Sequence, residues 1–299
     1  MKNVLSILGG GIYGIGVTRF LKLVRDSIAD MRDYCNVFAG VSAGAIITAL
    51  LATGKNSRES DEIFMREYKS MFKKNNVFTR MRPSKGRYNS ASVEKVLRKY
   101  IGDVTFKDLD VDLYIGAFRS YTPNDEYSDN YFVFSKESTP DVKVWEAVRC
   151  SMAAKPYFEP YIIDGVEYCD GGYIENNPSM TAITELIAKG ESKDNIKILQ
   201  LNTAGSTKNI RFTPLTLVAL AKNFITRTMQ GDSSVSTIQA RNCIEDRLCV
   251  VNPYVIEDYG LDGIEHVESI REMWEKAYYE NFSKVMLWTR ENTNSENAH

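Results

Sequence analysis

Histidine is almost absent from this chain: its 299 residues include only His266 and His299. His299 is the last residue, and we expect the acidic tail at 291–299 to be disordered. Histidine is the usual group that takes the proton from a catalytic serine or cysteine, so its scarcity limits how such a site could be built. A nucleophile in this chain would depend on His266 or on a carboxylate.

Cysteine is also scarce, and its positions form no recognisable pattern. The cysteines are odd in number and include no C-x-x-C pair, so the sequence predicts neither a disulfide framework nor a metal site. Free thiols are typical of a reducing compartment, which favours a cytoplasmic location. The five are Cys35, Cys150, Cys169, Cys243 and Cys249.

The chain lacks an excess of either charge and lacks a long apolar run. Its 37 basic and 39 acidic residues give a net charge of −2, which argues against a nucleic-acid partner. No apolar run approaches the ~20 residues that span a bilayer, so we expect no transmembrane segment. The apolar residues 4–8 are too few for a signal peptide and run directly into glycines.

Strand-like and helix-like segments alternate at the start of the chain. Residues 4–8 are typical of a buried strand, a glycine loop follows, and residues 13–30 are typical of an amphipathic helix. A second strand at 37–39 and a second helix at 45–51 come next. This order predicts an α/β fold whose first strands are parallel.

The later pattern predicts one core with a polar insertion and a helical end. We expect the core to cover residues 1–210, with a polar, basic excursion at about 55–90. A helical region at 211–290 is expected to pack on the same domain. Further core elements are predicted as strands at 113–118, 131–134 and 197–201, helices at 142–151 and 177–189, and a type I′ hairpin at 161–169 around Asp164-Gly165.

Residues 40–44 (GVSAG) form a G-x-S-x-G pentapeptide between the second predicted strand and its helix. Strand, pentapeptide and helix in this order are the context of a nucleophile elbow. Gly40 and Gly44 flank a turn too tight for side chains, and the turn presents the Ser42 hydroxyl at a helix N-terminus. Ser42 is therefore the candidate nucleophile.

A first glycine cluster allows several interpretations. Gly9, Gly11 and Gly14 fit the G-x-G-x-x-G fingerprint of a dinucleotide site. That site needs an acidic residue at the end of the next strand, whereas Asp30 and Asp33 precede that strand. The free N–H groups of the loop could instead form an oxyanion hole, and a purely structural turn is the third alternative.

Two residues are candidates for the base. His266 lies between acidic residues and is typical of a surface histidine, although the order Ser42, Asp170, His266 would suit an α/β-hydrolase triad. Asp170 is followed by Gly171 and Gly172, which would let this loop approach another element closely. A carboxylate acting directly is the preferred alternative, while a simple Asp-Gly turn is the structural one.

Four separated segments together resemble the patatin-like phospholipases. They are the glycine loop at 9–11 (GGG), the pentapeptide at 40–44 (GVSAG), residues 151–158 (SMAAKPYF) and residues 170–178 (DGGYIENNP). The strand and glycine turn at 199–205 (LQLNTAG) are similar to the segment that follows in that family. The resemblance covers roughly residues 4–205.

The resemblance implies a fold and a set of roles. It implies a three-layer α/β/α sandwich with a mostly parallel central sheet, followed by a helical C-terminal region. It makes Ser42 the nucleophile and Asp170 its base, without a histidine and without a cofactor. It assigns the oxyanion hole to Gly10 and Gly11. The expected activity is that of a lipid acyl hydrolase of the phospholipase A or lysophospholipase type. Acyl transfer and a non-catalytic lipid-binding module are the alternatives.

The chain departs from the family pattern beside the first glycines. Leu8 and Tyr13 occupy the positions where the family often has Asp and Arg, as in D-G-G-G-x-R-G. An arginine there could contact a lipid phosphate or support the loop. Its absence bears on head-group recognition and leaves the serine chemistry unchanged.

Residues 66–87 carry eight basic side chains and one acid, interleaved with aromatic and methionine residues. Such a segment predicts peripheral contact with an anionic membrane, with the apolar groups entering the interface. A solvated basic loop with a few core anchors is the alternative. A second amphipathic stretch at 215–228 is interpreted as core packing.

Overall fold

The computed structural model describes residues 1–80, 82, 84–123, 129–203, 217–255 and 259–290. The predicted tail at 291–299, which includes His299, lies outside these residues, as does the glycine turn at 204–205. Most of the side chains in the amphipathic stretch at 215–228 are likewise outside the described part of the chain.

The described residues build one mixed sheet of eight strands. The strand order is β5-β6-β3-β2-β1-β7-β8, and β4 pairs with β3 outside this path. The run from β3 to β8 is parallel, whereas β4, β5 and β6 are joined antiparallel. The strands are β1 (Lys2–Ile7), β2 (Val37–Gly40), β3 (Asp112–Tyr121), β4 (Tyr131–Phe134), β5 (Tyr161–Ile163), β6 (Val166–Asp170), β7 (Ile196–Leu201) and β8 (Leu248–Val251).

Helices cover both faces of the sheet. They are α1 (Gly14–Ser27), α2 (Met31–Tyr34), α3 (Ala43–Ala52), α4 (Ser57–Met71), α5 (Val77–Arg80), α6 (Ser90–Ile101), α7 (Val144–Ser151), α8 (Ser179–Ala188), α9 (Leu217–Ile244) and α10 (Val267–Arg290). None of the helices in the described ranges is long and apolar enough to cross a bilayer.

Alternation along the central strand separates two apolar cores. In β1, Leu5 and Ile7 belong to the larger core, which includes residues of α1, α3, α4, α6, α7 and α10. Val4, which precedes Leu5, joins Ile183 and Ala240 in a smaller core with α8 and α9. Period-two alternation sends neighbouring side chains to opposite faces, so the sheet lies between two helical layers. The predicted three-layer α/β/α sandwich is confirmed.

Local predictions are confirmed most clearly where turn chemistry is specific. The hairpin between β5 and β6 turns at Asp164 and Gly165, with φ angles of 50° and 82°. Two successive residues with positive φ define the predicted type I′ turn. The parallel order of β1 and β2 is also as predicted.

Two elements differ from the sequence-based interpretation. Strand β8 lies in the region predicted to be helical, because four residues between long helices give little periodic signal. Part of the predicted polar excursion forms α4, whose Ile63, Phe64 and Met71 are buried in the larger core. The charged residues on the exposed face of α4 concealed this narrow apolar stripe.

Close packing of α10 on α1 holds the helix that follows the glycine loop. Phe20 lies edge-on to Trp274, with ring centroids 5.4 Å apart. Gly16 faces the same indole, and a Cβ at this position would overlap it. Buried Asp61 of α4 accepts two hydrogen bonds from Arg271 of α10 and one from the Thr18 hydroxyl of α1, so three helices meet at this carboxylate.

Replacement of glycine by alanine should change the free energy of unfolding in opposite directions at a packed position in α1 and at an open position in α9. Gly16→Ala should lower the free energy of unfolding by about 1–3 kcal/mol, because its methyl group would displace Trp274. Gly231→Ala in α9 should raise it by about 0.5–1 kcal/mol, since that position has open space and alanine favours a helix. Urea unfolding of both variants measures the difference. Equal effects would contradict the packing described here.

Candidate active site

Ser42 occupies a sharp turn between β2 and α3. Its φ of 53° is rare for a residue with a side chain and places strain at this position. A Cβ at Gly44 would overlap the carbonyl oxygen of Ile7, and one at Gly40 would overlap Thr48. Both glycines are therefore required by close approach of backbone or side chain. The geometry is that of a nucleophile elbow.

Ser151 fixes the backbone of this turn. The Ser42 N–H donates to Ser151 Oγ at 2.9 Å, and the Ser151 hydroxyl donates to the Gly116 carbonyl at 2.6 Å. Ser151 is fully buried at the end of α7. Sequence reasoning included it in the segment at 151–158 but gave it no role. The only signal was a small hydroxyl residue before two alanines.

Asp170 ends β6 and is almost completely buried. Its Oδ1 accepts a hydrogen bond of 2.8 Å from the Gly172 N–H, whereas its buried Oδ2 accepts none of ordinary geometry from the described residues. Burial raises the pKa of Asp170 from its usual 3.8 to about 7, because charge is costly away from water. The Gly172 N–H acts in the opposite direction, as does the Ser42 side chain.

The structure brings Ser42 and Asp170 together. Both line one cavity, and the serine hydroxyl is close enough to favour the ionised form of the carboxyl. Ser42 follows β2 and Asp170 ends β6, and β3 lies between these two strands because it pairs with both. Asp170 lies opposite Ala117 in that ladder. Strand register thus sets the position of the carboxyl relative to the elbow.

The glycines after Asp170 let its loop approach two neighbours. A Cβ at Gly171 would overlap the Gly116 carbonyl oxygen, which also accepts the Ser151 hydroxyl. A Cβ at Gly172 would lie 2.6 Å from the Met229 methyl carbon and 3.0 Å from Asp170 Oδ1. The predicted supporting function of both glycines therefore has a steric basis.

The loop after β1 passes directly beside the serine. A Cβ at Gly9 would lie 3.2 Å from Ser42 Cβ. Gly9 is held by Asn176, whose carbonyl accepts the Gly9 N–H and whose side-chain amide donates to the Gly9 carbonyl. The N–H groups of Gly10 and Gly11 donate to no acceptor in the described part of the chain. This loop thus contains two backbone N–H groups without an acceptor among the described residues, and Gly11 lies in the wall of the cavity that contains Ser42.

An apolar cavity surrounds these groups. It contains about 780 Å³ of empty space, part of it open to solvent, and Gly11, Ser42 and Asp170 lie in its wall. The remainder of the wall is almost entirely apolar or aromatic and includes Phe64 and Tyr157. Such a lining suits an apolar ligand with few polar contacts.

Comparison with known proteins identifies the family. A family model of patatin-like phospholipases matches residues 5–183, more than half of the chain. The chain belongs to the patatin-like phospholipase family. The resemblance carried by its four sequence segments is thereby confirmed.

Relatives of this patatin-like chain include enzymes named as phospholipases. An intracellular phospholipase A2 of Caenorhabditis elegans is 30% identical over 193 residues, which cover 62% of this chain and 17% of that protein. A cGAMP-activated phospholipase of Escherichia coli (strain TW11681) is 27% identical over 227 residues, covering 68% and 62%. The chain therefore spans less than two thirds of the length of either relative.

A solved structure supports the same fold. VipD from Legionella pneumophila superposes with a TM-score of 0.51 at 14% identity, over 93% of this chain and 67% of that one. At this level of identity the likeness concerns the fold.

Tyr13, which stands where many patatin-like phospholipases have arginine, packs against Tyr259. Its buried hydroxyl accepts the Tyr259 N–H at 2.9 Å, and the two rings stack. His266 also stacks on Tyr259, and their ring centroids are 4.3 Å apart. Neither Tyr13 nor His266 lines the cavity. Tyr13 thus supports the glycine loop.

Asp30, one of the acids considered for a dinucleotide site, has a structural role. It caps α2 by accepting the Arg32 N–H, and it also accepts hydrogen bonds from the N–H and hydroxyl of Ser57. Asp30 and Asp33 both lie outside the cavity wall. Within the described ranges, no group of three or more His, Cys, Asp or Glu side chains is placed to hold a metal ion.

A short loop before α10 ties the glycine loop to the basic segment. The Leu261 carbonyl accepts the Ile12 N–H at 2.9 Å. The next residue, Asp262, accepts hydrogen bonds from Arg87 at 2.7 Å and from the Tyr88 hydroxyl at 2.8 Å. Sequence reasoning missed this loop, because its contacts join residues more than 170 positions apart. It forms one wall of the cavity through Leu261.

The raised pKa of Asp170 predicts a pH-dependent stability difference. An acid whose pKa is raised by folding stabilises the folded state below its unfolded pKa, and this stabilisation is lost as the pH rises through the folded pKa. The window here runs from 3.8 to about 7. Asp170→Asn, which cannot ionise, should therefore be more stable than wild type at pH 8, by at most on the order of 4 kcal/mol. The difference should shrink towards zero near pH 4.

Urea unfolding of wild type and Asp170→Asn across this range measures the difference. A stability difference that does not change with pH would show that Asp170 ionises as readily in the folded as in the unfolded chain.

Proposed function

We propose that this chain is a lipid acyl hydrolase of the phospholipase A or lysophospholipase type, cleaving carboxylic ester bonds through an acyl-Ser42 intermediate. The observation that carries this proposal is that a strained serine elbow and a buried carboxyl line one apolar cavity. One oxygen of that carboxyl has no hydrogen-bond partner of ordinary geometry among the residues that the structure describes. Membership in a phospholipase family supports the ester class of substrate.

In the first half-reaction, Ser42 Oγ attacks the ester carbonyl carbon while Asp170 accepts the hydroxyl proton. A pKa of about 7 makes Asp170 a far better base near neutral pH than an ordinary aspartate. The carbon–oxygen bond to the leaving alcohol then breaks, and Asp170 returns the proton to that alcohol. An acyl-Ser42 ester remains.

In the second half-reaction, water attacks the acyl-Ser42 carbonyl and gives a proton to Asp170. The bond to Ser42 Oγ breaks, the proton returns to the serine, and the fatty acid is released. Transfer to another alcohol instead of water would make the chain an acyltransferase, so the products distinguish the two reactions.

The N–H groups of Gly10 and Gly11 are proposed as donors to the oxyanion formed in each half-reaction. The support is their lack of acceptors in the described part of the chain, the contact of the preceding residue Gly9 with Ser42, and the place of Gly11 in the cavity wall. Backbone donors held in place need no reorganisation when charge develops. Several contacts hold this loop, including those of Asn176 and Leu261.

Peripheral contact with a membrane is proposed for residues 66–87. Tyr68, Met71 and Phe72 of this segment line the cavity, so part of its apolar content faces the substrate space. Phe78 is 83% exposed and remains available for an interface. Basic side chains around it would attract anionic lipid. The cysteine pattern supports a cytoplasmic location for such contact.

Replacement of either residue of the proposed catalytic pair should abolish hydrolysis. Ser42→Ala and Asp170→Asn should each lower kcat by at least about 10³-fold on a phospholipid substrate, because the nucleophile or its base is lost. Asp164→Asn, in an exposed turn that tolerates asparagine, is the matched control and should keep wild-type activity. Mass spectrometry of products from a phospholipid and neutral-lipid panel measures the rates and the reaction class.

Full activity in Ser42→Ala or Asp170→Asn would overturn the proposed pair. If a fluorophosphonate probe failed to label Ser42 in folded wild type, the non-catalytic lipid-binding alternative would replace it. Acylated alcohols among the products would identify acyl transfer.

Binding to anionic membranes should depend on the positive charges of residues 66–87 more than on positive charges elsewhere on the surface. Lys73→Glu combined with Lys74→Glu should reduce co-sedimentation with vesicles that contain phosphatidylserine, since both side chains are exposed in the basic segment. Lys193→Glu with Lys276→Glu makes the same charge change elsewhere on the surface and should have a smaller effect. Equal binding to neutral and anionic vesicles by the wild type would exclude the electrostatic contact.

A further inference from the structure

The serine begins a helix whose apolar face continues away from it. Ser42 precedes α3, and Ile46 and Leu50 follow at intervals of four residues on one side of that helix. With a rise of 1.5 Å per residue, Ile46 lies about 6 Å and Leu50 about 12 Å from Ser42 along the axis. A chain attached to the serine could therefore extend along this face.

Two apolar spaces follow one another along this face. The active-site cavity reaches Ile46, Phe64 and Met71. The same three residues also line a second, smaller space between α3, α4 and α6. Its remaining wall consists of Leu50, Ile63, Val96, Leu97, Tyr100 and Ile101. The three shared side chains thus separate the cavity that contains Ser42 from the space beside Leu50.

The partition between the two spaces is made of side chains that can move. Met71 is the last residue of α4, and its unbranched side chain has three rotatable bonds. Phe64 lies two helical turns earlier on the same helix. A change in the Met71 side-chain conformation would therefore alter the partition without requiring the helix backbone to move.

The side chains that line the second space offer a polar ligand no available hydrogen-bonding group. The polar group in its wall is the Tyr100 hydroxyl, which already donates to Glu67 Oε1 at 2.7 Å. The other lining residues are aliphatic or are Phe64 and Met71. A phosphate or other head group would lose its hydration there without gaining partners. An alkyl chain has no hydrogen bonds to water that it would lose on entering this space.

We infer that the acyl chain of the substrate lies along α3 and that its far end passes the Ile46–Phe64–Met71 partition into the second space. Ile46, Phe64 and Met71 are therefore specificity-determining residues, and the site selects long-chain over short-chain acyl esters. This inference rests on the proposed acyl-Ser42 chemistry. The head group or leaving alcohol then lies on the open side of the cavity.

Each methylene that enters apolar space contributes about fourfold to binding. The specificity constant kcat/KM should therefore rise with acyl length beyond the first cavity. Filling the second space should remove the gain for long chains only. Shortening a side chain of the partition should increase the gain in kcat/KM for long chains.

The test uses nitrophenyl butyrate, octanoate, dodecanoate and palmitate below their micelle concentrations. Leu97→Phe fills the second space without touching the first, and should lower the palmitate-to-octanoate ratio of kcat/KM by about tenfold. Its butyrate activity should stay within about twofold of wild type. Met71→Ala should raise the palmitate-to-octanoate ratio. Leu186→Phe, the same substitution in the core on the other face, is the matched control and should leave the ratio unchanged.

A binding measurement keeps the inference independent of turnover. Calorimetric titration of Ser42→Ala with fatty acids of the same lengths should give affinities that rise with length, and Leu97→Phe on that background should remove the gain beyond octanoate. Length profiles that neither Leu97→Phe nor Met71→Ala alters would overturn the inference. If wild type hydrolysed none of the esters while the fatty acids still showed the expected binding pattern, only the acyl-serine chemistry would be overturned.

Discussion

The carboxyl group of Asp170 is buried, with one oxygen hydrogen-bonded to the Gly172 N–H and the other without a hydrogen-bond partner of ordinary geometry among the described residues. The register of β3 with β2 and with β6 fixes where the carboxyl lies relative to the Ser42 elbow. Gly171 and Gly172 let its loop lie against Gly116 and against α9. A buried carboxyl in this state costs stability once it ionises, as active-site acids often do.

The same apolar surroundings have two effects. They raise the pKa of Asp170, as the proposed base at neutral pH requires, and they give the cavity the apolar wall that the proposed acyl chain would contact. In the proposed mechanism one environment therefore acts on both groups, because an apolar site that excludes water favours a neutral carboxyl and an apolar ligand. The basic segment connects to this environment from outside, because Arg87 and Tyr88 hold Asp262, whose neighbour Leu261 contacts the glycine loop.

Much of this arrangement could be predicted from the sequence. The elbow and the glycine loop are local: each is a strand, a turn with defined glycines and a helix, so Ser42 and its neighbours follow from short-range pattern. The type I′ turn at Asp164 is predictable for the same reason. What pattern cannot supply is distance between remote segments. Ser151 binds Ser42 across 109 positions, Asp262 meets Arg87 across 175, and the buried stripe of α4 is hidden among charges. These features depend on contacts between distant segments in the folded chain, which short-range sequence pattern does not describe.

The central claim is that Asp170 activates Ser42 with a pKa raised by burial. The most direct measurement is the second-order rate of Ser42 modification by a fluorophosphonate as a function of pH, because it reports the free protein and involves no lipid phase or product release. The account predicts a rate that rises with pH and levels off above an inflection near 7. A rate that is constant from pH 5 to 9, or an inflection near the ordinary aspartate value of 3.8, would contradict it.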